Sequence, residues 1–156
     1  MARTRVFYED WQMECCGRPF AVGDEVVWPL AAVDTRERPG ECYGAEARVE
    51  LHGDPGRPVT GRVRAIELVR QEYVVRTDRR ARERVDRALG PDAGSEGTVL
   101  LPSPYRWEAV PGAHTLQAAD SCPRWFPSQE PGRGPGPHRV HRTVGALVTL
   151  ETAAPE

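Results

Sequence analysis

The chain has no lysine; all 21 of its basic residues are arginine. An all-arginine composition follows coding bias, so an individual arginine is not read as a selected phosphate ligand. The formal net charge is −2, and no overall field draws the protein to nucleic acid or to an anionic membrane. No apolar run approaches the roughly 18 residues that a membrane-spanning helix needs. The opening MARTRVFYEDWQ holds no apolar stretch of signal-peptide type, so the chain is expected to be soluble and cytoplasmic. A C-x-x-C pair is missing, which removes the zinc-ribbon and thioredoxin signatures. G-x-S-x-G, H-E-x-x-H and the P-loop are also missing, along with the hydrolase, metalloprotease and nucleotide-binding readings they carry. No internal repeat is found.

What is present fits one domain. The 156 residues suffice to bury a core without disulfide or metal support. Apolar residues make up 39%, while glycine and proline number 15 each, so much of the chain is expected in turns and loops. Aromatic and β-favouring residues from Arg3 to Gln12 read as a strand. Cys15-Cys16-Gly17-Arg18-Pro19 reads as a turn, with Gly17 free to take positive φ and Pro19 blocking regular pairing. A tight turn at Gly23-Asp24 leads to Val26, Trp28 and Leu30 on one strand face, with Pro29 placing part of that strand at an edge. Ala47, Val49 and Leu51 alternate again, and Gly53 to Gly56 form a turn.

The run from Thr60 to Val75 reads as a long strand whose buried set slips by one residue near Ala65, as a β-bulge would cause. TDRRARERVDRALGP is the one helix candidate, capped at Thr77 or Asp78 and stopped by Gly90-Pro91. Short strands are expected at 98–101 and at 105–110. The last strand is the cleanest, with Val140, Val144, Ala146, Val148 and Leu150 on one face. Together these elements predict a mostly β fold: a small SH3-like or related partly open barrel, an OB-type barrel being the nearest alternative, with one short helix and long loops. The expected organisation is a single domain over 1–151, a mobile Pro/Gly-rich loop at 127–137 and a tail at 152–156.

DWQMECCGRPFAVGDEVVW, the later HGD, TGRVRAIE and the closing GALVTLE resemble an uncharacterised family of high-GC bacteria with a CCG-x-PF-x-VGD-x-V-x-W motif. That resemblance covers most of the chain and implies no known activity, so it assigns no catalytic residue.

Five chemical readings arise from three groups of residues. Cys15, Cys16 and His52 offer thiolate and imidazole ligands for zinc, with Cys42 or Cys122, or the carboxylates of Asp24 and Asp54, to complete a set. The same cysteines suggest thiol redox chemistry through a strained vicinal disulfide. Against both stands the plain reading, a structural turn with at least one thiol buried under the strand carrying Trp28. A Cys16–His52 catalytic pair has no sequence signature, and an enzyme is not favoured. The segment from Arg76 to Arg87 carries six arginines against three acidic residues; it reads as a solvated helix face before a nucleic-acid site. Finally, Tyr105, Trp107, Trp125 and Phe126 suggest an aromatic-lined groove. The leading expectation is therefore a non-enzymatic binding module that docks a protein or peptide, with the zinc or thiol site as the alternative and a nucleic-acid-binding barrel third.

Overall fold

A computed structural model describes residues 1–34, 36–37, 40–52, 56–77, 80, 83, 105–127 and 137–153. The described chain is mostly β. Its elements are β1 (Ala2–Glu9), α1 (Asp10–Cys16), β2 (Phe20–Ala21), β3 (Glu25–Ala32), a 3-10 turn (Glu41–Gly44), β4 (Ala47–Val49), β5 (Arg57–Thr77), β6 (Tyr105–Ala119), β7 (Ser121–Cys122) and β8 (His138–Thr152). The helix expected over 77–89, the strand at 98–101, the turn at 53–56 and the Pro/Gly-rich loop lie wholly or largely outside the described residues. One helix appears where strand and turn were expected. β1 stops at Glu9, and Asp10–Cys16 are helical. No β-branched residue occurs from Glu9 to Cys16, so nothing there resists helical packing of χ1.

The chain divides into two compact units, one of Met1–Arg70, His114–Pro127 and Thr143–Glu156, the other of Gln71–Ala113 and Ser128–Arg142. In the first, strand pairing runs β3-β4-β1-β8-β5, and β3 also pairs with β5, which closes a ring of five strands. β1 and β8 are antiparallel from Ala2 opposite Thr152 to Glu9 opposite Gly145. β1 and β4 are parallel, and β3 is antiparallel to both β4 and β5. Pro29 does not mark an edge as expected. It faces Pro58 across the β3–β5 pair, so at that position neither residue is asked for an N–H. β2 and β7 form a separate two-stranded pair.

Alternation decides what fills the ring. Val6 and Tyr8 from β1, Val49 from β4, Val63 and Ile66 from β5, and Ala146, Val148 and Leu150 from β8 are buried in one cluster. In β5 the buried side changes parity between Val63 and Ile66, and Ala65 is exposed; the expected slip near Ala65 is seen as that change. Three aromatic rings tie β1, β2 and β3 together. Tyr8 lies edge-on to Trp28 at 5.2 Å, Phe20 edge-on to Trp28 at 4.9 Å, and Tyr8 stacks on Phe20 at 5.9 Å. Such pairs add about 0.5–1.5 kcal/mol each beyond area burial. Gly17 has an ordinary φ of −85°, not the positive value expected. It is required for space: a Cβ there would lie 2.6 Å from the Tyr8 hydroxyl and 2.7 Å from the Met13 Cα. On the surface, Arg64 and Arg3 both bond Glu151, and the Arg64 bond is the main reason its carboxyl is held below the usual range.

In the second unit, the buried side chain of Gln71 donates to the carbonyls of Val110 at 2.8 Å, Glu72 at 3.0 Å and Ala113 at 3.3 Å. Val75 is buried, and the Tyr73 and Trp107 rings meet edge-on at 5.8 Å.

Burial pushes the Cys122 thiol up to about 12. Burial, with added repulsion from Cys122 and Cys16, pushes the Tyr8 phenol up to about 12. In the unfolded chain these groups ionise at about 8.5 and about 10. A raised folded pKa contributes stability in full below the unfolded value, and that contribution is lost as pH climbs to the folded one. Stability in urea is therefore expected to fall between about pH 8.5 and 12, with Cys122→Ala flattening the first part of the fall. A level profile in the unsubstituted chain would contradict this.

Candidate functional site

The site begins with how α1 is anchored. Asp10, Gln12 and Met13 are its buried residues. Met13 joins the core cluster and receives the Cys122 thiol on its sulfur at 3.5 Å. Gln12 is buried beside it, and its Oε1 accepts the backbone N–H of Leu51 at 2.6 Å. Leu51 packs against the core, and the next residue, His52, donates its N–H to the Glu50 carboxylate at 3.2 Å. The segment after β4 is thus fixed to α1, and His52 arrives at the end of the helix. The last carbonyls of a helix lack intrahelical partners. Arg124 supplies them here, donating to the Glu14 carbonyl at 3.0 and 3.2 Å and to that of Cys15 at 3.4 Å.

At this helix end, two thiols and an imidazole converge. The Sγ atoms of Cys15 and Cys16 are 2.7 Å apart. His52 Nε2 lies 3.1 Å from the first and 3.5 Å from the second. All three residues are exposed. The His52 ring stacks on Trp11 at 5.2 Å, and the Trp11 indole N–H donates to the Glu9 carboxylate. The Cys16 thiol is pushed up, first by its hydrogen bond with Cys15, then by desolvation and the charge of Cys15, while Arg124 opposes the shift. Cys16 also lines a cleft of about 490 Å³ together with Tyr8, Arg18, Phe20, Trp28 and Leu51.

The expectation that one thiol of the pair lies buried under the Trp28 strand is overturned. Both are exposed, because the helix turns them outward while Gln12 and Met13 face in; the buried thiol is Cys122. Cys122 and Cys42 are not part of the cluster, which holds three ligands among the described residues. Asp24 lines the cleft, but its carboxylate accepts the Ala21 N–H at 2.9 Å; Asp54 lies outside the described residues. So does most of the arginine-rich run 76–87.

The four aromatic positions fall two to a unit. In the first, Trp125 is 62% exposed with the Arg124 guanidinium 5.7 Å from its ring centre, and Phe126 is half-buried against the core. In the second, Tyr105 is exposed and Trp107 is half-buried on Tyr73. The residues missed from the sequence are those that assemble the cluster: Trp11, Gln12 and Arg124. A helix reading of Glu9 to Cys16 would have placed Gln12 and Met13 inward and both cysteines at the helix end.

Residues 2–152 match the family of unknown function DUF6578. The chain belongs to that family. No curated protein and no solved structure matches it. Membership accounts for nearly the whole chain and brings no activity with it. Among the described residues, no helix is long and apolar enough to cross a membrane.

Replacing Gln12 with Ala leaves the Leu51 N–H without its acceptor. The expected cost is about 1–3 kcal/mol of stability, together with faster hydrogen exchange at Leu51 and His52. Unchanged exchange at these two amides would show that the bond does not hold the segment.

Proposed function

We propose that the protein binds a zinc ion through Cys15, Cys16 and His52, as a centre with one coordination position left to solvent or to an outside ligand. The observation that supports this is the convergence of three soft or borderline ligands, two at the end of α1 and one 36 residues further on. Tetrahedral zinc with ordinary Zn–S and Zn–N bonds spaces a sulfur and a nitrogen about 3.6 Å apart and two sulfurs about 3.8 Å apart. The sulfur–nitrogen distances of 3.1 and 3.5 Å are close to that. The two sulfurs must open from 2.7 Å, a change of about 1 Å that side-chain rotation at exposed positions supplies. Three protein ligands and an open place are the arrangement of catalytic zinc sites, whereas purely structural ones are closed by four. Free thiols at all four cysteines suit a reducing compartment, which is the cytoplasm on this reading.

Zinc titrated into the reduced full chain is expected to bind at one equivalent and to displace protons, because each thiol ligates as thiolate. Cobalt in its place is expected to give thiolate-to-metal absorption. Cys15→Ser, Cys16→Ser and His52→Ala should each weaken binding at least about tenfold, the scale for losing even an outer-shell partner. Equal affinity in the unsubstituted chain and the three variants would defeat the zinc reading.

A second reading, a module that docks a protein or peptide, is supported by Trp125, a large aromatic ring left open and steadied by Arg124. Aromatic side chains of this kind anchor interfaces. Panning a displayed peptide library on the full chain is expected to enrich binders that Trp125→Ala releases without changing the melting temperature. Failure to enrich, or binders indifferent to that substitution, counts against docking.

A further inference from the structure

We infer that Cys15 and Cys16 are a reactive dithiol that reduces small disulfides, closing into a vicinal disulfide and thereby emptying the metal centre. The part that concerns metal release rests on the zinc reading; the dithiol chemistry stands without it.

Adjacent residues on a helix project about 100° apart, so neighbouring side chains ordinarily diverge. These two do not: their sulfurs are 2.7 Å apart, nearer to each other than either is to His52. The pair also occupies the last two positions of α1, and Gly17 has already left helical geometry. The Cys15–Cys16 peptide therefore sits at the end of the helix, where closing a small ring disturbs least of the hydrogen-bonded turn. Both thiols are exposed, whereas Cys42 is half-buried and Cys122 is buried, so an outside disulfide meets the pair first. A ring closed between neighbours is strained and has the more oxidising potential of strained disulfides, so closure is reversible and is driven by an excess of the outside disulfide over its thiol.

The electron and proton count closes with a disulfide R–S–S–R as oxidant. The Cys15 proton passes to His52 Nε2, 3.1 Å away. The Cys15 thiolate attacks one sulfur of R–S–S–R, forming a Cys15–S–S–R mixed disulfide and expelling RS⁻. That RS⁻ takes the proton of the Cys16 thiol. The Cys16 thiolate then attacks the Cys15 sulfur, forming the Cys15–Cys16 bond and expelling the second RS⁻, which takes the proton held by His52. Two protein thiols are oxidised, one disulfide is reduced to two thiols, and His52 ends as it began. Each sulfur in the new bond has lost the thiolate that zinc needs, so the two states exclude one another.

The test uses glutathione disulfide on the fully reduced full chain, read by intact mass, free-thiol count and peptide mapping. The unsubstituted chain is expected to lose two hydrogen atoms and two of its four thiols, with the new link inside the single peptide that carries Cys15 and Cys16. Cys16→Ser is expected to stop at the mixed disulfide and retain one glutathionyl group; Cys15→Ser should react more slowly than Cys16→Ser. A lasting glutathione adduct on the unsubstituted chain, a link to Cys42 or Cys122, or equal rates in the two variants overturns the dithiol assignment. For the coupling, zinc-loaded chain is treated in the same way with a chromogenic chelator present. Zinc release in step with loss of the two thiols is expected, and zinc retained by the oxidised chain overturns it. A chain that forms the link but never bound zinc when reduced fails the zinc reading alone.

Discussion

A single buried amide oxygen holds the site together. Gln12 Oε1 accepts the Leu51 N–H inside the molecule, beside Met13 and the core. A buried backbone donor without a partner is costly, so helix and strand end are bound to one another by more than apolar contact. Gly17 adds the second condition, since any side chain there would strike the Tyr8 hydroxyl and the helix backbone. Tyr8 in turn is set by Phe20 and Trp28. Placement of two exposed thiols thus depends on groups that are themselves buried.

The consequence is a site with rigid footing and open faces. His52 is held from behind by Trp11 and through its backbone by Glu50. Arg124 occupies the carbonyls at the helix end. The sulfurs keep rotamer freedom, as an ion or a new covalent bond requires. The metal ligation and the disulfide proposed above would use the same sulfur electron pairs, so each would exclude the other. Cys16 belongs both to the cluster and to the lining of the cleft.

Much of the fold was legible because burial in strands has period two. Val144, Ala146, Val148 and Leu150 fall on one buried side, as do Ala47 and Val49, and Trp28 lies in the core. Leu147 is buried as well, opposite Phe7 in the β1–β8 register, and alternation alone gave no sign of it. The helix from Asp10 to Cys16 was missed because Trp11 extended an aromatic run that read as strand. Seven residues are too few for a helical period to stand out. The ligand types of the site were legible in Cys15, Cys16 and His52, yet their meeting was not. It depends on a side-chain bond between residues 39 apart, and no local pattern announces such a bond. Aromatic composition marks Tyr105, Trp107, Trp125 and Phe126 but carries no information about which of them share a surface.

The register of β1 on β8 sets an order of events. Arg3 and Glu151, bonded across that pair, are 148 residues apart in sequence. During synthesis β1 emerges well before β8, the strand that pairs with its other side. Until then Val6 and Tyr8 stand in a strand with an open edge, the kind of surface that recruits another chain. Closure of the ring is a long-range step, and folds dominated by such pairings assemble slowly. One edge of β1 stays open until β8 pairs with it, so closing the ring is also the step that removes that edge.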